Sequence, residues 1–532
     1  MRLLAKRMVK IIFFRYLLHL IPFRHFIYVL IILLFSPALQ SQVIPNKKPG
    51  KKSIELKNAD IDYIEKDKNT GKDIHRLLGN VLFKHNKITL SCDSAHFSQD
   101  KNQVTAFSKI HVEQGDSLDL FGDYLFYDGK SEIALVNGNV ELIDKETHLF
   151  TDAIDYDVRN KIARYNDKGR ITNADNTLTS IIGIYFVSEN LFHFKDSVKI
   201  VNPDYVMKAD TMDYNTKTET AFFTGPTELN GDSIYLYCEK GWFDTKNDVT
   251  SIWNNAVIDN REQIIHGDSL FFDDRTGYGQ SFGNVVIEDT TNKLIVQGNY
   301  AWYYKQPESF MITDEAMFTQ ASKGDSLFLH ADTIRAVTIA DTSTKGYRLM
   351  KAYYGCRIFS EDLQAKCDSL SYSFQDSVIR FYNSPVIWSD ENQLTSDSMA
   401  IFTKNRQTDR LELYNSAFIT SQIDTIRYNQ IKGRSLSGYF KNNALYKIDI
   451  KGNGESIYYL LDGENVAGVN QTKCANIEVY IENGKISEIY EYQNPEGFID
   501  PPELFKPKEI RLAGFNWFDS LRPKKKADIF NK

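Results

Sequence analysis

Gly-Asn-Val-Leu-Phe-Lys-His-Asn-Lys-Ile-Thr-Leu-Ser-Cys-Asp-Ser-Ala-His-Phe, residues 79–97, is the stretch whose reading decides the fold. Taking Asp93 as zero, apolar or small residues fall at −5, −3 and −1 (Ile88, Leu90, Cys92) and then at +2 and +4 (Ala95, Phe97). Alternation with period two is the mark of a strand with one buried face. The alternation slips phase by one position at the acid, so the stretch reads as one long strand with a bulge or corner at Asp93.

The same line recurs along the chain. Leu118, Leu120, Gly122, Asp123, Leu125 and Tyr127 repeat it, as do Tyr205, Met207, Ala209, Asp210, Met212 and Tyr214. Further centres stand at Asp152, Glu239, Asp268, Asn299, Asp332, Asp368 and Asp397, mostly about 30 residues apart, with a degenerate copy expected near Gly183. A second marker, Gly/Asn-x-Val, keeps step at Gly79-Asn80-Val81, Gly138-Asn139-Val140 and Gly283-Asn284-Val285 and reads as a strand start. A period in this range means stacked units that cannot bury their apolar face alone, and about thirteen fit between residues 54 and 490. The expected class is all-β, built as a repetitive solenoid of stacked strands.

An acid at each phase slip is a structural choice. A corner loses ladder hydrogen bonds, and a short carboxylate can bond neighbouring amides in their place. Asp93, Asp123, Asp152, Asp210, Asp268, Asp332, Asp368 and Asp397 are therefore read as corner residues, and the small residue at −1 lets the walls approach. A residue type repeated every turn makes a wall and not an active site, so no enzyme is expected.

The remaining signals exclude several functions. Arg2, Lys6, Arg7, Lys10, Arg15 and Arg24 precede the apolar run 26–35 and the small-residue exit Ser36-Pro37-Ala38, which reads as an export signal ending near 41; an uncleaved anchor is the alternative. Taking these six of the 63 basic residues and none of the 70 acidic ones away leaves a net charge of −13, which argues against nucleic acid as a partner. Five cysteines are thinly spread, and Cys92, Cys238 and Cys367 take the small −1 position, so they read as fillers, without metal-site spacing. Neither a metal nor any other cofactor is expected. Gly-Asp-Ser-Leu at 115–118, 267–270 and 324–327 resembles the nucleophile block of GDSL esterases, but it recurs within strands, and the one Asp-x-x-His, Asp93 to His96, precedes every copy. A basic linker (42–53), a first array (54–340), a further array (341–490) and a Pro-containing basic tail (491–532) complete the expected organisation. The tail breaks the alternation and reads either as extended along the array or toward a partner, or as a solvated end.

The unit Gly-Asn-Val-x-apolar followed by apolar-x-apolar-x-small-Asp, seen at Gly79–Phe97 and Gly138–Tyr156, resembles that of the OstA/LptA family of lipopolysaccharide-transport proteins, especially the long OstA-like proteins of Bacteroidetes-type bacteria. The resemblance covers nearly all of 54 to about 450. It implies a twisted β-jellyroll of two facing sheets whose apolar interior carries lipid A acyl chains across the periplasm, with no catalytic residues. On that reading Leu90, Phe97, Leu120, Leu125, Met207, Met212, Leu270 and Leu370 line a lipid groove. Partners would be lipopolysaccharide and the inner- and outer-membrane transport proteins, joined by end-to-end strand pairing through Ile54–Ile64 and Ala475–Tyr492, or a second copy of the chain. The location would be the periplasm, in possible association with the outer membrane. A non-catalytic exported scaffold or adhesin is the alternative, favoured if the interior is filled with bulky side chains.

Overall fold

The computed structural model describes residues 53–531 apart from 67–70, 116–117, 174–175, 233, 262, 291–292, 321–325, 341–345, 405–406, 442–443, 464, 483–484, 505 and 507–509. The export signal and most of the linker lie outside the described residues. Within them the chain is all-β: 36 strands and four short 3-10 turns, with no α-helix. Every strand pairing is antiparallel, for example across the hairpins of Asp73–His85, Ile88–Ser98 and Gln103–Gln114. Two compact units divide the chain: one runs up to Asp232 and takes in Lys240–Asp248, and the other holds Ser233–Glu239 and Val249–Lys532. The seam expected near 340 falls inside the second.

The N-terminal unit shows how the repeat works. After β1 (Glu55–Asn58) and β2 (Ile61–Lys66), long strands follow one another as hairpins: β3 (Asp73–His85), β4 (Ile88–Ser98), β5 (Gln103–Gln114), β6 (Leu118–Asp128), β7 (Ile133–Asp144) and β8 (Thr147–Asp157). Each pairing breaks register once, in mid-strand: at Leu78/Val81, Ser91/Ser94, Phe107/Ile110, Phe121/Tyr124 and Asn137/Val140. Each strand is thus folded at its bulge, and its two halves belong to two facing walls. The first wall holds the early half of β3 with the late half of β4, and the second holds the reverse; β2 pairs with one half of β3 and β1 with the other. Phe83 of the second wall and Phe97 of the first meet with ring centroids 5.4 Å apart. This is the jellyroll expected.

One detail differs from the sequence reading and another adds to it. Gly-Asn-Val is not a strand start but the corner of the odd strands, lying inside β3 and β7. Each long strand crosses both walls, so a unit of about 30 residues adds two strands to each wall and rises about 10 Å, a count the sequence reading left open. Odd strands turn through consecutive left-handed residues, Gly79 (φ 76°) with Asn80 (44°) and Gly138 (77°) with Asn139 (45°), a pair of angles that glycine and asparagine adopt most cheaply.

The acids bond outward as well as locally, for a related reason. Asp123 accepts the Asn139 side-chain amide at 2.6 Å, Asp268 that of Asn284 at 3.1 Å, Asp368 that of Asn383 at 3.1 Å, and Asp93 the Ser108 hydroxyl at 2.8 Å. The carboxylate of one corner therefore caps the left-handed corner of the next strand, where the ladder is interrupted on both sides. Asp210 and Asp332 bond the hydroxyl of the following residue, at 3.2 and 2.8 Å, and Asp397 joins the corners through its main chain, to Ser384 and Asn415 at 3.1 Å. Asp152 stands exposed at the rim of a polar surface hollow. Beside it lies the degenerate copy: β9 (Ile162–Tyr165) and β10 (Gly169–Asn173), then β11 (Asn176–Ser180) and β12 (Ile182–Phe186), are two corner-crossing strands each cut in two. Ile181 takes the place of the acid, and Gly169 and Gly183 leave room for the Tyr165 ring, which would lie 2.3 Å from a Cβ at either position.

Candidate functional site

The interior between the walls is the place where a lipid could be held, and alternation puts every expected groove residue there. Leu90, Phe97, Leu120, Leu125, Met207 and Met212 belong to the core of the N-terminal unit, Leu370 to that of the C-terminal unit, and Leu270 is buried as well. The N-terminal interior is not an open trough. Around Leu120, Leu125, Val136 and Leu142 it is filled by side chains at most 1% exposed, close-packed like other protein interiors.

The far edges of the two walls, opposite the corners, are laced together. The hairpin tips of the second wall supply His85, Gln114 and Asp144; the first wall supplies Tyr127, Tyr156 and Tyr185 at position +4 of successive copies. His85 Nδ1 and the Tyr127 hydroxyl lie 2.6 Å apart, the Tyr156 hydroxyl donates to Gln114, and the Tyr185 hydroxyl donates to Asp144 at 2.5 Å. Gln114 also donates to the Val158 carbonyl at 3.1 Å. Burial pushes all three phenols well above their ordinary value, and for Tyr185 the Asp144 carboxylate adds to that rise. These bridges are buried and charge-poor, so each closes the seam without leaving an unpaired polar group.

The lace then changes character. Tyr214, the next tyrosine in the series, stands beside Thr245 of its own wall, whose hydroxyl donates to the Glu219 carbonyl at 2.7 Å. There, between β13 (Leu191–Asn202) and β14 (Tyr205–Asn215), an apolar cavity of about 80 Å³ is lined by Leu178, Phe192, Phe194, Met207, Met212 and Phe243 among others. Met207 and Met212 thus border free space, whereas Leu120 and Leu125 are locked in packed core.

A second assembly covers the outer face of the C-terminal unit. Phe328, Phe359, Gln364, Trp388, Gln393, Thr420, Gln430 and Ile457 stand opposite one another across successive strands. They form an outward row that should be wet, yet Trp388 and Gln430 have no exposed surface. The C-terminal tail lies on them. Gln430 accepts the Leu512 N–H at 2.9 Å and donates to the Ile510 carbonyl at 3.2 Å. Gln393 treats Phe518 and Asn516 the same way, at 2.7 and 2.8 Å. Arg522 donates to Gln364 at 2.8 Å, Lys526 sits over the Phe328 ring and Ile529 is fully buried. Gln393 and Gln430 each offer the tail one donor and one acceptor, as a neighbouring strand would.

Both ends of the array carry exposed apolar side chains. Ile61, Tyr63 and Ile64 stand out on β2, and Ile489, Tyr490 and Tyr492 on the strand Lys485–Tyr492, with Phe498 and Ile499 beside them on Glu496–Asp500. Of the expected terminal segment Ala475–Tyr492, the part up to Glu482 is paired on both sides, so the outermost strands are Lys485–Tyr492 and Glu496–Asp500. Elsewhere His111, Glu113 and Asp119 gather on the outer face, with His111 Nε2 2.8 Å from Asp119, an ordinary cross-strand pairing of half-exposed groups. No helix among the described residues is long and apolar enough to cross a membrane.

The tyrosine lace and the tail-binding glutamines escaped the sequence reading although both leave a periodic trace. Tyr127, Tyr156, Tyr185 and Tyr214 recur at +4, and Gln364 and Gln393 at −4, which marks positions where one polar atom is needed on an otherwise apolar or outward row.

The family model for OstA-like proteins matches residues 51–210, the stretch that carries the first corners and the whole lace. Over this stretch, somewhat under a third of the chain, the sequence is OstA-like. Among solved structures, the OstA-like chain is similar to LptH of Pseudomonas aeruginosa, described as the LptA-homologous periplasmic component of the conserved lipopolysaccharide transport device. The two are 16% identical over 26% of this chain and 81% of LptH, with a TM-score of 0.14, so the architecture stands on the strand register and not on that superposition. No curated protein matches it.

Proposed function

We propose that this OstA-like chain is a non-catalytic component of lipopolysaccharide transport in the cell envelope, a β-jellyroll that shields acyl chains between its walls on the way to the outer membrane. The observation that carries the reading is the two-walled interior: it is apolar along both units, and the chain is OstA-like where that interior begins. Acyl chains gain about 0.8 kcal/mol per methylene moved out of water, so a few buried carbons suffice for binding without any charged contact. The acidic balance keeps the phosphate-bearing head group in solvent or with divalent cations. Exposed strand edges at Ile61–Ile64 and Lys485–Tyr492 suit strand addition by transport proteins of the two membranes or by a second copy.

A second reading has an observation of its own. The filled and laced interior around Leu120 and Tyr156 suits a strut that joins envelope proteins without holding lipid. Mass spectrometry of lipid co-purified from native envelopes separates the two. Stoichiometric lipid A supports the carrier. Its absence, with lipopolysaccharide still reaching the surface after depletion of the chain, would leave the strut.

A further inference from the structure

We infer that a hydrocarbon chain enters the N-terminal unit from the side, at the stretch where the tyrosine lace ends, and occupies the cavity bordered by Met207, Met212 and Phe243. This rests on the carrier reading above and gives it a location. Three features of the N-terminal unit point there.

The first is closure. From β3 to β12 the seam between the walls is crossed by His85–Tyr127, Gln114–Tyr156 and Tyr185–Asp144, and Leu120, Leu125, Val136 and Leu142 behind it are at most 1% exposed. A lipid entering there would have to break buried hydrogen bonds and displace packed side chains.

The second is the change at Tyr214. Tyr214 lines the cavity itself, and Thr245 beside it donates to the Glu219 carbonyl of the same wall at 2.7 Å, so the contacts of this stretch run along one wall where those of the three earlier tyrosines cross the seam. Thr216 and Thr245, at hairpin tips of the first wall, and Thr147 and Asn176, at tips of the second, line the cavity, which places its opening at the seam.

The third is the chemistry of the lining. Its fifteen residues are aliphatic, aromatic, thioether, hydroxyl or amide; none is ionisable at neutral pH, so a charged or strongly hydrated ligand gains nothing inside. Two methionines supply flexible surface that can follow a chain of changing shape, and the hydroxyls at the rim suit the point where a chain meets its polar head. About 80 Å³ takes the last few carbons of one chain, each worth about fourfold in affinity.

The test uses the full chain and a palmitate analogue bearing a diazirine near its methyl end. After irradiation, peptide mapping should find adducts on the segments holding Met207, Met212 and Phe243. Ala221→Phe, which projects a ring into the cavity, should lower labelling at least tenfold, and unlabelled palmitate should compete. Tyr127→Phe, which removes a lace hydroxyl, should leave labelling unchanged. Mapping on the unaltered chain needs no variant to fold. Adducts between Leu90 and Tyr156, or labelling untouched by Ala221→Phe in a protein with normal melting, would overturn the side-entry site while leaving the carrier reading in place. Adducts nowhere in the chain would bring down both.

Discussion

The corner lock can be tested by a double-mutant cycle at Gly283 and Asp268. Gly283 has φ 66°, and a Cβ built there would lie 2.1 Å from Asp268 Oδ2 and 2.9 Å from Asp268 Cβ. Gly283→Ala therefore meets two costs: about 1–2 kcal/mol for a left-handed alanine, and about 1 kcal/mol because the carboxylate must swing off Asn284, which it holds at 3.1 Å. The single substitution should cost about 2–3 kcal/mol. Asp268→Ala loses the same Asn284 bonds and should cost about 1 kcal/mol. In the double variant that loss is counted once, so the sum of the singles should exceed the double by about 1 kcal/mol; the remaining Cβ contact at 2.9 Å keeps the relief partial. Urea unfolding followed by tryptophan emission reads mainly the C-terminal unit, which holds Trp253, Trp302, Trp388 and Trp517, four of the five tryptophans. Strict additivity within about 0.3 kcal/mol would refute the idea that the acid of one corner holds the left-handed corner of the next strand.

Other predictions address the core, the tail and the lace. Leu90→Asp or Leu370→Asp should cost several kcal/mol, enough to lose soluble folded protein, because an unpaired carboxylate would replace a side chain 4% or 3% exposed; circular dichroism and yield would check it, and normal melting of either variant would reverse the inward assignment. Gln430→Ala should leave the Leu512 N–H without its partner and the Ile510 carbonyl with only its Arg511 bond, cost about 1–3 kcal/mol, and expose the tail to limited proteolysis well before the strands are cut. Tyr127, Tyr156 and Tyr185 have phenols raised by burial, so their contribution is fully present below pH 10 and is lost as pH rises above it. Three such groups give a loss of about 4 kcal/mol per pH unit, and urea stability that stays unchanged between about pH 10 and 11 would place the rings in water.

Period-two alternation with a phase slip is a backbone property written in every copy, which is why the all-β class, the corners at Asp93 and Asp123 and the inward set from Leu90 to Leu370 are all legible in the amino-acid sequence. Strand count per unit is not, because Gly79-Asn80 in mid-strand and at a strand start give the same local pattern; only the pairing of β2 and β1 with separate halves of β3 distinguishes them. The lace depends on contacts about 42 residues apart, His85 with Tyr127 and Gln114 with Tyr156, and no local rule joins them. Trp388 and Gln430 read as outward residues on wet strands because the segment that covers them lies 80 residues or more further along the chain.

That long reach has a consequence for how the molecule comes into being. The row from Phe328 to Ile457 is finished by Ile510–Ile529, so its outer surface stays bare until that segment has been made. The N-terminal unit needs nothing beyond Asp248 and can close while the rest is still emerging. The second unit, by contrast, cannot cover its own strands until residues 510–529 follow them. A chain lacking residues 501–532 would keep every strand up to Asp500 and still present a sticky aromatic and amide surface, a marker by which it differs from a chain that carries them.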